Sequence, residues 1–199
     1  MNIQKFASPA AAAAAAALMS LVSHSALATV ICDTPPAGAA LPIAVPMTTA
    51  GIYLNFVTGA VNVAPAAVPG WDLNPFSSGG TFTWFWSTTA AHITAGLLTG
   101  GVYDASPAGV VVGPGGTFST TSGTAVTMAP WQAGVSNLYQ GVRFTNEAGS
   151  VVTYGWVAVT TTGPTGFPAT LNQFCYQSDG TAITTGATTP VRLQDFSVD

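Results

Sequence analysis

The chain has 199 residues, of which 48% are apolar and only 5% charged, with 3 lysines and arginines against 7 aspartates and glutamates. Disordered chains are poor in apolar residues and rich in charge, so this composition argues for a packed core. Nucleic acids and anionic membrane surfaces call for clustered cations, and Lys5, Arg143 and Arg192 form no cluster in the sequence.

Residues 1–28 read as a cleavable signal peptide. Lys5 supplies the positive start and residues 6–22 an uncharged, alanine-rich apolar run. Ala26 and Ala28 are the small pair that a signal peptidase pocket admits. A membrane anchor is the alternative reading, but alanine is weakly apolar and the run falls short of the ~20 residues a span needs. The mature chain is then 29–199, a length that suits one domain with its own core. No run within it is long enough to cross a bilayer. Export implies an oxidising compartment, where the even count of Cys32 and Cys175 favours one intramolecular disulfide over two free or intermolecular thiols. Such a bridge ties the N-terminal segment to a strand near the C-terminus.

Residues 33–50 carry four prolines and no helical period, which predicts an extended lead-in or an edge strand. Short β-type runs then alternate with Gly, Pro, Asn and Ser. Strands are expected over 52–58, 81–87, 91–97, 109–112, 125–128, 139–145, 151–160, 170–177 and 191–198. This spacing predicts an all-β, antiparallel sandwich or barrel rather than βαβ units. Within 81–86, Phe82, Trp84 and Trp86 share one face and Thr81, Thr83 and Phe85 the other. The first set predicts core. Residues 139–160 predict a β-hairpin that turns at Asn146-Glu147-Ala148-Gly149. The Thr/Gly-rich stretches 113–124 and 160–166 predict long exposed loops. No segment keeps an amphipathic helical pattern over three turns.

Catalytic motifs are absent from the sequence: there is no G-x-S-x-G, no H-E-x-x-H and no phosphate-binding glycine loop. His92 is the one histidine of the mature chain, and without a nucleophile motif a strand-face or surface role suits it better than a Ser-His-Asp group. The acids are scattered one per loop, which does not favour the paired carboxylates of a glycosidase. Asp72 and Asn74 put two oxygen side chains two residues apart, a weak calcium candidate that Asp33, Asp104 or Asp179 could complete. Asp and Asn before Pro75 are also ordinary turn residues. Of the five tryptophans, Trp71 and Trp131 flank Gly and Pro in expected loops and are the candidates for ligand stacking.

Residues 51–186 resemble the extracellular domain of proteobacterial secreted proteins of the PEP-CTERM/exosortase type. The likeness rests on GIYLNFVTG, on GWDLNPF, on GVRFTNEAG followed by VVTYGWVAV, and on CYQSDGTAITTG. It implies a jelly-roll-like or lectin-like sandwich, exported to the cell surface or extracellular matrix, with no defined activity and an association with exopolysaccharide. The chain departs from the pattern at its end, TTPVRLQDFSVD, which lacks the Pro-Glu-Pro sorting tail, the apolar helix and the basic tail. Free secretion, or retention by a partner, is the corresponding expectation. The expected function is therefore a non-enzymatic extracellular matrix protein with glycan binding as its candidate activity. A self-associating structural protein is the second reading and a secreted hydrolase the third. No cofactor is expected beyond the calcium candidate.

Overall fold

A computed structural model of the chain describes residues 29–32, 41–89, 92–122, 126–146 and 151–188. The signal peptide expected at 1–28, Asp33, the turn expected at 147–149 and the strand expected at 191–198 lie outside them.

The expectation of an antiparallel all-β sandwich holds. All strand pairs among the described residues are antiparallel. The larger sheet runs in the order β1 (Val30–Cys32), β14 (Ala169–Gln177), β13 (Val151–Thr162), β12 (Gly134–Asn146), β9 (Ala95–Leu98), β11 (Thr117–Ser119), and β2 (Ile43–Val45) also pairs with β14. The smaller sheet runs β4 (Val61–Asn62), β3 (Tyr53–Leu54), β5 (Leu73–Ser78), β6 (Thr81–Trp86). Two short ribbons complete the set: β7 (Thr88–Thr89) with β8 (His92–Ile93), and β10 (Val111–Val112) with β15 (Ile183–Thr184). A single helical turn, α1 (Ala129–Gln132), precedes β12.

The principal core lies between the two sheets. Leu54, Leu73, Phe82, Trp84 and Trp86 from the smaller sheet meet Val142, Phe144, Val157, Val159 and Phe174 from the larger. Burying each large side chain is worth roughly 1.5–3 kcal/mol. The other face of the larger sheet is covered as well. Tyr154, Trp156, Ala158 and Cys175 pack there with Val112 and Ile183 of the β10–β15 ribbon. With both faces buried, β13 carries the nearly continuous apolar run YGWVAV instead of an alternation. Arg143 on this second face lies over the Phe118 ring, 5.1 Å from its centroid.

The hairpin expected at 139–160 is the β12–β13 pair, extended to 134–162 and interrupted by a register shift between Val135 and Leu138. The disulfide is present: Cys32 and Cys175 are direct cross-strand partners in β1 and β14, separated by 143 residues of sequence.

Four local expectations need correction. The exposed loop expected at 113–124 carries β11, which pairs with β9 at the edge of the larger sheet. The strand expected over 52–58 stops at Leu54, because the Asn55 side chain accepts from Val57 N (2.9 Å) and Thr58 N (2.8 Å) and turns the chain. The strand expected at 125–128 does not form over its described residues 126–128, which lead into α1. The WDLNP segment, read as a turn, is instead the start of β5. Pro75 is tolerated there because its carbonyl accepts from Ile52 N (3.1 Å), so its missing N–H faces the side where pairing with β3 has already ended. The β5–β6 ladder is left whole.

Candidate functional site

The outer face of the smaller sheet carries a strip of aromatic rings. Its frame is the β5–β6 hairpin, closed by Gly79 (φ 58°) and Gly80 (φ 86°), the two consecutive left-handed residues that a tight hairpin turn demands. Alternation sends Phe82, Trp84 and Trp86 inward, fully buried, and leaves Phe85 on the outside at 39% exposure. On β5, Phe76 faces Thr83 across the ladder, on the same outer side as Phe85.

Trp71 lies against this strip. Its ring stacks on Phe85, centroids 5.6 Å apart and planes at 29°, and meets Tyr53 edge-on at 5.1 Å. Phe76 meets Phe85 edge-on at 6.3 Å. Tyr53, Trp71 and Phe76 are half-buried residues, each with its ring packed on a neighbour.

The turn that carries Trp71 is fixed from beneath. Buried Asn55 donates its amide to the carbonyls of Pro69 (3.1 Å) and Gly70 (2.8 Å). Gly70 takes φ 66°, and Trp71 N donates to Val68 O at 3.1 Å. Asp72 then turns inward: Asp72 N donates to Leu54 O (2.8 Å), and the buried carboxylate accepts from Phe56 N (2.8 Å) and from the Thr94 hydroxyl (3.3 Å). A platform held this way loses little freedom when a ligand lands on it.

The sequence candidates fall differently. Trp71 is where stacking was expected. Trp131 is not: it is fully buried, edge-on to Trp84 at 5.3 Å and beside Phe82 at 6.2 Å. Pro130 belongs to α1 and Gly134 opens β12, and the turn of α1 lays the indole into the core. Asp72 and Asn74, the calcium candidates, are both buried, and Asn74 donates its amide to the carbonyls of Ala50 (2.7 Å) and Ile52 (2.8 Å). Their bonds are those of braces between segments, a correction to the calcium reading. Asp104 is half-buried elsewhere, and Asp179 is exposed in the turn after β14, bonded to Thr181 N and Oγ1, which hold its carboxyl below the usual aspartate range. No group of three or more His, Cys, Asp or Glu side chains able to hold a metal gathers among the described residues. His92 sits half-buried on β8, opposite Thr89.

Sequence alone does not mark Tyr53, Phe76 and Phe85 as site residues. For Phe85 the signal was present in the alternation that set it opposite the core-facing tryptophans. For Phe76 it was hidden, because β5 was not read as a strand.

No helix among the described residues is long and apolar enough to cross a membrane. No protein-family model, curated protein or solved structure matches the chain.

Proposed function

We propose that this chain is an exported, non-enzymatic glycan-binding protein of the cell surface or extracellular matrix, and that the strip Tyr53–Trp71–Phe85–Phe76 is its binding face. The carrying observation is that these rings are stacked on the outside of a sheet whose inner face already has a full core. Sugar rings present flat C–H faces, and covering them with aromatic rings removes apolar surface from water at roughly 25 cal/mol per Å². The disulfide is compatible with an oxidising compartment. The resemblance to PEP-CTERM-type proteins, and with it the jelly-roll-like outline and the signal peptide, belongs to the same proposal.

The assembly alternative needs a long uncovered strand edge. The outer strands of the larger sheet, β1, β2 and β11, are three residues each. The exposed side of β6 is partly covered, since Phe82 N donates to Thr165 O (2.8 Å) and Gln132 donates its amide to Phe82 O (3.0 Å). These features favour ligand binding over strand-edge assembly.

The test is affinity electrophoresis of the purified protein through gels containing single polysaccharides. Retardation by at least one polysaccharide, lost in Trp71→Ala and in Phe85→Ala variants that keep the parent melting temperature, is expected. Equal migration of parent and variants in every gel would overturn the proposal.

A further inference from the structure

Beside the ring strip the same outer face changes character. Phe76 is paired with Thr83, and the next pair along is Ser78 with Thr81. Here a groove of about 290 Å³ opens, lined by Ser78, Thr81 and Thr83 of the β5–β6 hairpin and by Val126, Thr127, Met128 and Gln132 of the segment that leads into and forms α1. At the strand rise of ~3.3 Å per residue, Phe85 and Thr81 are roughly 13 Å apart, which exceeds one sugar ring. The rings and the groove thus follow one another along β6, aromatic at one end and mixed at the other, where hydroxyl and amide groups stand beside Val126 and Met128.

None of the residues named on this track is charged. The nearest acid in sequence, Asp72, is buried and bonded to Phe56 N and Thr94. Arg143, the arginine of the described residues, lies over Phe118 on the far face of the larger sheet. A uronate or sulfate on this track would give up hydration without gaining the charged partner that offsets it. Neutral hydroxyls face no such cost: Thr81 Oγ1 already donates to Ser78 O (2.8 Å) and the Gln132 amide to Phe82 O (3.0 Å), but the oxygens of both still accept, the second Gln132 N–H still donates, and the Ser78 hydroxyl can do either.

Resting on the glycan reading above, we infer that the ligand is an uncharged polysaccharide, bound as a segment longer than one ring, with the aromatic strip as one subsite and the Ser78–Thr81–Gln132 groove as the next. The strip stacks a sugar ring, and the groove exchanges hydrogen bonds with the hydroxyls of its neighbours in the same chain.

Titration calorimetry on the full chain tests this with neutral oligosaccharides (cello-, xylo-, malto- and chito-series, from monosaccharide to hexasaccharide) and with two polyanions, alginate and polygalacturonate. The expected result is a neutral series whose affinity rises with length by roughly ten-fold or more. Ser78→Trp, which fills the groove mouth from an exposed strand end, should remove that gain and leave binding of the shortest ligands unchanged. Trp71→Ala should remove binding at every length. Preference for a polyanion, or a length gain that survives Ser78→Trp, would overturn the inference while the glycan reading stands. Absence of binding by every saccharide, or self-association that Phe85→Ala abolishes, would overturn both.

Discussion

Trp71 and Phe85 stack with their centroids 5.6 Å apart, although 14 positions separate them in sequence and neither belongs to the core between the sheets. The pairing depends on two independent local devices. Strand alternation turns Phe85 outward from β6, and the Asn55 amide holds the Pro69-Gly70 turn so that Trp71 reaches it. An aromatic pair maintained at this expense of exposed apolar surface is what gives the outer face its proposed role.

Asn55 is therefore a positioning residue, and Asn55→Ala is expected to weaken glycan binding more than its effect on folding explains. The variant loses two amide donations and two accepted bonds, a destabilisation of roughly 2–4 kcal/mol. Melting temperature and binding should be measured together. Unchanged affinity in the folded variant would show that the turn needs no such support.

Asp72 braces the layer beneath. Asp72→Ala leaves the buried Phe56 N–H without its acceptor and should cost roughly 2–4 kcal/mol in chemical denaturation. Because the carboxylate of Asp72 and the amide of Asn74 are engaged by the protein itself, the melting temperature should be the same in EDTA and in excess calcium. A calcium-dependent rise that Asp72→Ala removes would restore the metal reading.

Trp86 donates its indole N–H to the Tyr103 hydroxyl at 2.9 Å, and that hydroxyl also lies 3.0 Å from Ser119 O and against Thr121 O. Burial pushes the phenol above its ordinary value, against the opposing effect of the bonds with Ser119 and Trp86. A folded value raised above the unfolded one gives stability that is fully present below about pH 10 and is lost as pH rises through the folded value. In a tyrosinate-absorbance titration, the difference between the parent and Tyr103→Phe should show the Tyr103 phenol ionising above the ordinary tyrosine value. Tyr103→Phe should leave the Trp86 N–H unpaired and cost roughly 1–3 kcal/mol at neutral pH. A variant as stable as the parent would contradict this account of the Trp86–Tyr103 bond.

Gly96 lies under the same pair. A Cβ at this position would come within 2.3 Å of the Trp86 ring and 2.6 Å of the Tyr103 ring, both fully buried. Gly96→Ala is expected to destabilise by roughly 1–3 kcal/mol, measured by urea denaturation. Gly100→Ala makes the comparison, since its Cβ meets nothing within 4 Å; there φ 60° carries a backbone cost without a clash.

Much of the fold was legible because it follows from short-range rules. The inward set Phe82, Trp84 and Trp86, the β12–β13 hairpin and the Cys32–Cys175 bridge all follow from alternation, turn residues and cysteine count. What escaped depended on tertiary context. Asn74-Pro75 looks like a turn unless one knows that pairing with β3 has ended on the proline's N-side. Trp131 looks exposed among Gly and Pro unless one knows that α1 folds over the core. The site was half legible for the same reason: Trp71 stands out by its neighbours in sequence, whereas Tyr53, Phe76 and Phe85 become a site only when three strands are laid side by side.

The central claim, that Trp71 presents the glycan-binding face, is open to one direct measurement. Trp84, Trp86, Trp131 and Trp156 are all fully buried, so acrylamide should quench the fluorescence of Trp71 ahead of the other four. Adding a polysaccharide that retards the protein in gels should suppress this accessible fraction, and Trp71→Phe should lack it from the start. Quenching of Trp71 that is the same with and without saturating polysaccharide would contradict the account.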